Sequence, residues 1–529
     1  MFDADVAIDG ERISVIAPRV SDAGRVEVDA RGRVVAPGFI NVLSWAAESL
    51  LHDGRGVSDV VQGVTMEVFG EGESMGPLSP ESREWLTAQQ GDITYDVSWT
   101  SLAEFLDHLV ELGVSPNVGS FVGATTVRAN VIGWNDVRAS TTQLQAMVEQ
   151  VRQAMRDGAL GVGSSLIYTP ACFADTAELM ALAGAAAESD GLYISHIRDE
   201  GSELLTAIDE FVRIARETGV RAEVYHLKAA GRENWGLIDD AIAMLEGARA
   251  DGLSVTADMY PYAASATGLD ATMPPWVIEG GLEQWYERLR DPQVRAKVAA
   301  EMRTAGVGWE NELHSAGGGS GVLLVGFRTP ELQGLAGRTI ADVASERSSS
   351  PEDTIMDLVV EDRSRVSAVY FNQSEEVVRR VAGTPWVAIG SDEATYADEG
   401  VFLRTHPHPR AYGSFAKFVG RFVREGVVGL ADGIHRVTEL PARTLRLTDR
   451  GRLLPGRFAD VVVLDPDTLT DTATFDAPHR YATGVDHVFV NGVHTVADGA
   501  HTGARAGQVV RGPGYHPAAG RASGAYHQQ

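Results

Sequence analysis

The apolar positions of this chain fall into two alternating rhythms. Short runs rich in β-branched and aromatic residues recur at GFINVLS (38–44), TMEVFG (65–70), NVGSFVG (117–123) and LGVGSS (160–165). They continue at LYISH (192–196), RAEVYH (221–226), LSVTADMY (253–260) and WVAIGSD (386–392). Runs of this length between turn residues predict strands. Between them lie segments with apolar residues three and four apart, such as TTQLQAMVEQVRQAMRDG (141–158) and ELLTAIDEFVRIARETG (203–219). That spacing predicts amphipathic helices, and the closing Gly of each is a helix-ending signal. Strand and helix in alternation predict a parallel sheet, and eight such strands predict a closed (β/α)8 TIM-type barrel.

The ends of the chain follow another pattern. DVAIDGERISVIA (5–17) and RVVAPGFI (33–40) near one end, and RFADVVVLDP (457–466) and VDHVFVNG (485–492) near the other, are strands between Gly, Asp and Pro turns. They predict a small β-sandwich built from 1–40 and 440–502, with the barrel occupying 41–439. The interval 268–365 breaks the barrel rhythm and reads as an inserted or lid subdomain between strands seven and eight. Residues 503–529 carry little apolar pattern and read as an extended or mobile tail.

Composition narrows the function classes. The 529 residues carry a formal net charge of −28, which repels phosphate backbones and argues against nucleic acid as a partner. No apolar run reaches the length of a membrane span, and the first residues do not read as a signal peptide. A single cysteine, Cys172, excludes an internal disulfide and a Cys-rich metal site. A cytoplasmic enzyme is expected. Oligomeric state is left open.

Catalytic groups in such barrels sit where strands end. His196 ends ISH and His226 ends VYH one βα repeat later, which predicts neighbouring positions at one barrel edge. Glu71 follows TMEVFG directly, and Asp392 ends the eighth strand. Imidazole and carboxylate are good zinc ligands, and a catalytic zinc needs three of them plus an open position. Asp392 is a candidate to take the proton of an attacking water and pass it to a leaving amine. Each residue has a plainer role open to it: a packed histidine, a turn-capping Glu71, an N-capping Asp392. His52, His406 and His408 read as solvent-exposed residues of loops or helices.

The ordered blocks VVAPGFIN, QGVTMEVFGEGESMGP, GVGSSLIYTPACFADTAEL, YISHIRDEG, VYHLKAAGRENWG, TADMYPYAASAT, IGSDE, HPHPRAYGSF, RGRLLPGRFADVVVLDP and HVFVNG resemble the N-acyl-D-amino-acid deacylases (D-aminoacylases) of the amidohydrolase superfamily. The resemblance implies a metal-dependent hydrolase cleaving the amide of N-acyl-D-amino acids or related D-configured amides. It implies one Zn2+ held by Glu71, His196 and His226, where many members carry Cys in place of Glu71. Asp392 would be the catalytic acid/base. Lys228 and Arg410 would hold the carboxylate of a small-molecule substrate, and Tyr168 and Tyr260 would line its pocket. Ala266 stands where Ser is usual, so one pocket hydroxyl is lost. On strand one the expected Asp-X-His-X-His reads Asn41-Val42-Leu43-Ser44-Trp45. Leu43 and Trp45 cannot ligate a metal, so one ion is expected and Trp45 reshapes the substrate pocket. That loss keeps two rival readings open: a cyclisation, elimination or isomerisation on the same single-metal site, and a metal-free binding protein.

Overall fold

The computed structural model describes residues 2–516. The chain starts with a hairpin, β1 (Asp5–Asp9) and β2 (Arg12–Ala17), followed by β3 (Val34–Pro37). It then enters the barrel with β4 (Phe39–Asn41), β5 (Val64–Phe69), and a third strand interrupted at Phe121 into β6 (Asn117–Ser120) and β7 (Val122–Gly123). β8 (Gly161–Ser165), β9 (Leu192–His196), β10 (Arg221–Val224) and β11 (Val255–Met259) follow. Three strands of an insertion come next, β12 (Ser265–Gly268), β13 (Val322–Gly326) and β14 (Ser367–Tyr370). β15 (Val387–Ile389) completes the barrel, and β16 (Val461–Leu464), β17 (Val485–Val490), β18 (Val493–Ala497) and β19 (Ala500–His501) end the regular structure.

Every barrel pairing is parallel, and each of the eight expected strands takes its place. The ring closes where the Asp392 N–H donates to Leu43 O at 2.9 Å and the Trp45 N–H to Glu393 O at 3.0 Å. Apolar residues alternate into the lumen, where Leu43, Val68, Phe121, Leu160, Ile194 and Tyr225 pack together. The helices Thr141–Asp157 and Leu204–Thr218 cover the outside and end at Gly158 and Gly219 in the left-handed region. Their buried stripes, Met147–Val151–Met155 and Leu204–Ile208–Phe211–Ala215, seal them to the sheet. Each large aliphatic side chain so buried contributes roughly 1.5–3 kcal/mol.

The chain ends meet as the β-branched runs predict. β3 pairs antiparallel with β16 in a five-stranded sheet, and the hairpin joins it through Ile13 N–H to Arg457 O at 2.9 Å. The insertion spans slightly more than 268–365, because its antiparallel sheet borrows β12 before it and β14 after it. It has its own core around Trp285, Val298, Leu324, Ile340, Ile355 and Val359. Of the tail expected from 503, residues 503–516 are extended but fixed. The Val510 N–H donates to Val118 O at 2.8 Å, and the Val118 N–H to Gln508 O at 3.0 Å. Residues 517–529 lie outside the described part. No helix among the described residues is long and apolar enough to cross a membrane.

Candidate active site

Glu71 owes its position to glycine. Gly70 and Gly72 on either side have φ of +105° and +69°, a backbone that L side chains rarely adopt. The turn also lies tightly across the two neighbouring strands. A Cβ on Gly163 would sit 2.2 Å from Gly70 O, and one on Gly123 would sit 2.3 Å from Gly72 O. Glycine at all four positions lets the Glu71 carboxylate enter the barrel mouth from above.

Three potential ligand atoms converge there. Glu71 Oε1 lies 3.1 Å from His196 Nδ1 and 3.1 Å from His226 Nε2. The two imidazoles stand edge to face, with ring centres 4.5 Å apart. His226 sits just beyond β10 with φ of +35°, and its N–H donates to Asp258 Oδ1 at 2.8 Å. All three side chains are buried, and among the described residues they form the one group suited to hold a metal ion. Burial alone would raise the Glu71 carboxyl, but the His226 and His196 imidazoles outweigh it and hold it far below the usual carboxylate range. Two imidazoles and an ionised carboxylate within 4.8 Å of one another are a donor set that fits a divalent cation.

Glu200 stands behind the histidines, and the sequence reading missed it. Its carboxylate is 3.0 Å from His226 Nδ1 and 3.5 Å from His196 Nε2, and it accepts from Lys228 Nζ at 2.7 Å. It thus reaches the ring nitrogens that face away from Glu71, the arrangement that orients metal-binding histidines. Its signal in the sequence is only an acid four residues after His196. Burial and Lys228 push His226 down, but Glu200 and Glu71 outweigh them and raise it to about 10. Lys228 itself is buried and committed to Glu200.

Asp392 lies three residues beyond β15, with φ of +52°, and is buried. Its Oδ2 is 2.6 Å from Arg410 Nη1, and its Oδ1 accepts from Trp45 Nε1 at 3.2 Å. Burial raises its carboxyl and Glu71 adds to that, while Arg410 and His226 pull it back. Arg410 starts the helix Arg410–Ala416 and lies over the Tyr260 ring, 4.5 Å from its centre. Arg410 Nε, 3.6 Å from Glu393, makes no hydrogen bond and is a donor to spare. The half-buried Tyr168 ring meets His196 edge-on at 5.5 Å. Tyr260 OH accepts from Gln373 Nε2 at 3.0 Å. On strand one, Leu43 is buried in the lumen, while Trp45 is 42% exposed at the mouth. The Trp45 indole N–H also reaches Glu71 Oε2 at 3.1 Å.

One expectation is corrected. His408 is not solvent-exposed but fully buried. Its Nε2 donates to Ala264 O at 3.1 Å, its Nδ1 accepts from the Arg410 N–H at 2.9 Å, and Tyr262 and Phe475 pack on its ring. His406 is half-buried, 2.5 Å from Phe475 O through Nε2, and His52 is exposed. The HPHPR run anchors the start of the Arg410 helix, a tertiary role that its polar composition conceals.

Comparison with known proteins gives one consistent result. The model of the amidohydrolase family matches residues 26–496. A D-aminoacylase of Alcaligenes xylosoxydans xylosoxydans is 31% identical over 96% of this chain and 93% of its own length. An N-acyl-D-glutamate deacylase of the same organism is 32% identical over 92% of this chain and 89% of its own. Among solved structures, the N-acyl-D-glutamate deacylase of Bordetella bronchiseptica, complexed with zinc and a phosphonate mimic of the tetrahedral intermediate, superposes with a TM-score of 0.77. It is 29% identical and covers 96% of this chain and 95% of its own.

Proposed function

This chain belongs to the amidohydrolase family, and on that premise we propose that it hydrolyses the amide bond of N-acyl-D-amino acids through a single-zinc site. The observation that carries this reading is the convergence of Glu71 Oε1, His196 Nδ1 and His226 Nε2 beside the buried carboxylate of Asp392. Those three atoms would hold the ion, which supplies polarisation of the scissile carbonyl and a lowered pKa for water.

The chain's own residues do the rest. Glu200 orients the His226 ring from behind at 3.0 Å and faces His196 Nε2 at 3.5 Å, and Lys228 keeps Glu200 ionised. Asp392 takes the proton of the attacking water and delivers it to the departing nitrogen. Its raised pKa suits both halves of that transfer, since a carboxylate of ordinary strength is a poor acid toward an amine. The spare Arg410 Nε supplies a donor for the substrate carboxylate, while the Lys228 ammonium is taken up by Glu200 and His226 Nδ1. Tyr168 and Tyr260 form walls on the two imidazole flanks, and Trp45 forms the wall beside strand one. The barrel, from β4 at Phe39 to residue 439, carries the chemistry, and the sandwich formed by the residues before β4 and by 440–502 braces the chain ends. The one cysteine, free and half-buried, is in keeping with work in the cytoplasm.

The test is direct. Zinc-loaded protein is incubated with a panel of N-acetyl-D-amino acids and their L enantiomers, and products are weighed by mass spectrometry. The expected result is free amino acid and acetate from D substrates, one water added across the bond. No amine release from any D substrate with zinc bound would overturn the reading.

A further inference from the structure

Glu71 and Asp392 both present a carboxylate to the barrel mouth, from strand two and strand eight. Each has one oxygen engaged elsewhere, Glu71 Oε1 by the imidazoles and Asp392 Oδ2 by Arg410. The two remaining oxygens, Glu71 Oε2 and Asp392 Oδ1, lie 3.1 and 3.2 Å from one atom, Nε1 of Trp45. A single indole N–H is therefore shared between the ligand carboxylate and the proton-handling carboxylate. Arg410 pairs with the other oxygen of Asp392, Lys228 with Glu200, and the imidazoles with the other oxygen of Glu71.

Two buried carboxylates turned toward one another need a positive group or a donor between them. A divalent cation is one solution, and it needs ligands from the adjoining strand. Here that strand offers Leu43, aliphatic and buried, and Trp45, whose indole nitrogen donates and cannot ligate. The backbone that carries the indole is pinned at the barrel seam: the Trp45 main-chain N–H donates to Glu393 O at 3.0 Å and the Asp392 main-chain N–H donates to Leu43 O at 2.9 Å, so the residues of donor and acceptor flank the same seam. We propose that Trp45 takes the place of a second cation: its N–H bridges Glu71 and Asp392, fixes the oxygen of Asp392 that handles the proton, and holds the centre at one ion however much zinc is present. Trp45 is in this sense a positioning residue that acts through Asp392. The proposal rests on the ligand set of the proposed function, but not on hydrolysis.

Metal stoichiometry tests it without substrate. The full chain is titrated with excess zinc and examined by native mass spectrometry, with thermal melting to confirm folding. Wild type is expected to stop at one zinc per chain. Trp45→Phe keeps a ring at the mouth but removes the donor, and Trp45→His offers a ligand there. The His variant is expected to take up a second zinc. The Phe variant is expected to lose kcat by about tenfold or more, the scale of one hydrogen bond to a charged acceptor, with a smaller change in KM. Two zinc ions on wild type, or a Phe variant with unchanged kcat, would overturn the proposal. If no substrate is hydrolysed by any form, the proposed function fails, while the zinc counts still decide the role of Trp45.

Discussion

Replacing Asp392 by Asn changes one oxygen to an amide nitrogen and leaves the site otherwise filled. Asn tolerates the left-handed backbone that this position requires, at φ of +52°. The Trp45 indole keeps an acceptor if the amide oxygen occupies the Oδ1 position, while Arg410, 2.6 Å from Oδ2, loses its charged partner. Breaking a buried pair by removing one partner ordinarily costs about 3–5 kcal/mol. Two features reduce that here: burial already disfavours the Asp392 charge, and Glu393 remains 3.6 Å from Arg410. The stability loss should therefore fall below that range. Turnover should suffer far more. A positioned general base is worth about 10²–10⁴-fold, or roughly 3–5 kcal/mol of barrier. Zinc should stay, since Asp392 is outside the Glu71, His196 and His226 set. The assay pairs initial rates of amine release from an N-acetyl-D-amino acid with zinc content by elemental analysis. A folded, zinc-containing Asn variant within tenfold of the wild-type rate would refute the role given to Asp392. Loss of zinc would show instead that Asp392 is a ligand.

Three further perturbations follow from the same geometry. Lys228→Met strands the buried Glu200 carboxylate without its cation and should cost about 3–5 kcal/mol in denaturant unfolding, most of it recovered in the double variant with Glu200→Gln; a loss below about 1 kcal/mol would contradict the pairing. Gly163→Ala drives a methyl against Gly70 O and should displace the Glu71 turn, costing about 1–3 kcal/mol and shortening zinc retention against a chelator; unchanged retention would show that the turn gives way freely. Glu223, inside the barrel beside Thr256 and Asp258, is pushed by burial up to about 7. The folded state thus keeps a proton that the unfolded chain releases near its ordinary value, so this group's contribution to stability falls as pH rises from about 4.5 through about 7. Glu223→Gln should flatten that fall and be the more stable protein at pH 8, by on the order of 1–3 kcal/mol in thermal or denaturant melts; a steeper decline in the variant would reverse the sign argued here.

The local pattern of the chain determined the scaffold. Eight apolar runs separated by amphipathic helices ending in Gly158 and Gly219 define a parallel barrel, because strand and helix periods are properties of neighbouring residues. The same regularity located His196, His226, Glu71 and Asp392 at strand ends, and absent histidines on strand one were visible as Leu43 and Trp45. What those residues touch was not legible. Glu200 becomes the partner of both histidines and Lys228 only when β9 and β10 lie side by side. His408 becomes a buried anchor only once the HPHPR run packs on Tyr262 and Phe475. Trp45 meets Asp392 across 347 residues of sequence, a contact made by closing strand one against strand eight. Periodicity fixes which face a residue takes, but the pairing of distant carboxylates, imidazoles and one indole N–H depends on where the ring closes, and only the tertiary structure decided that.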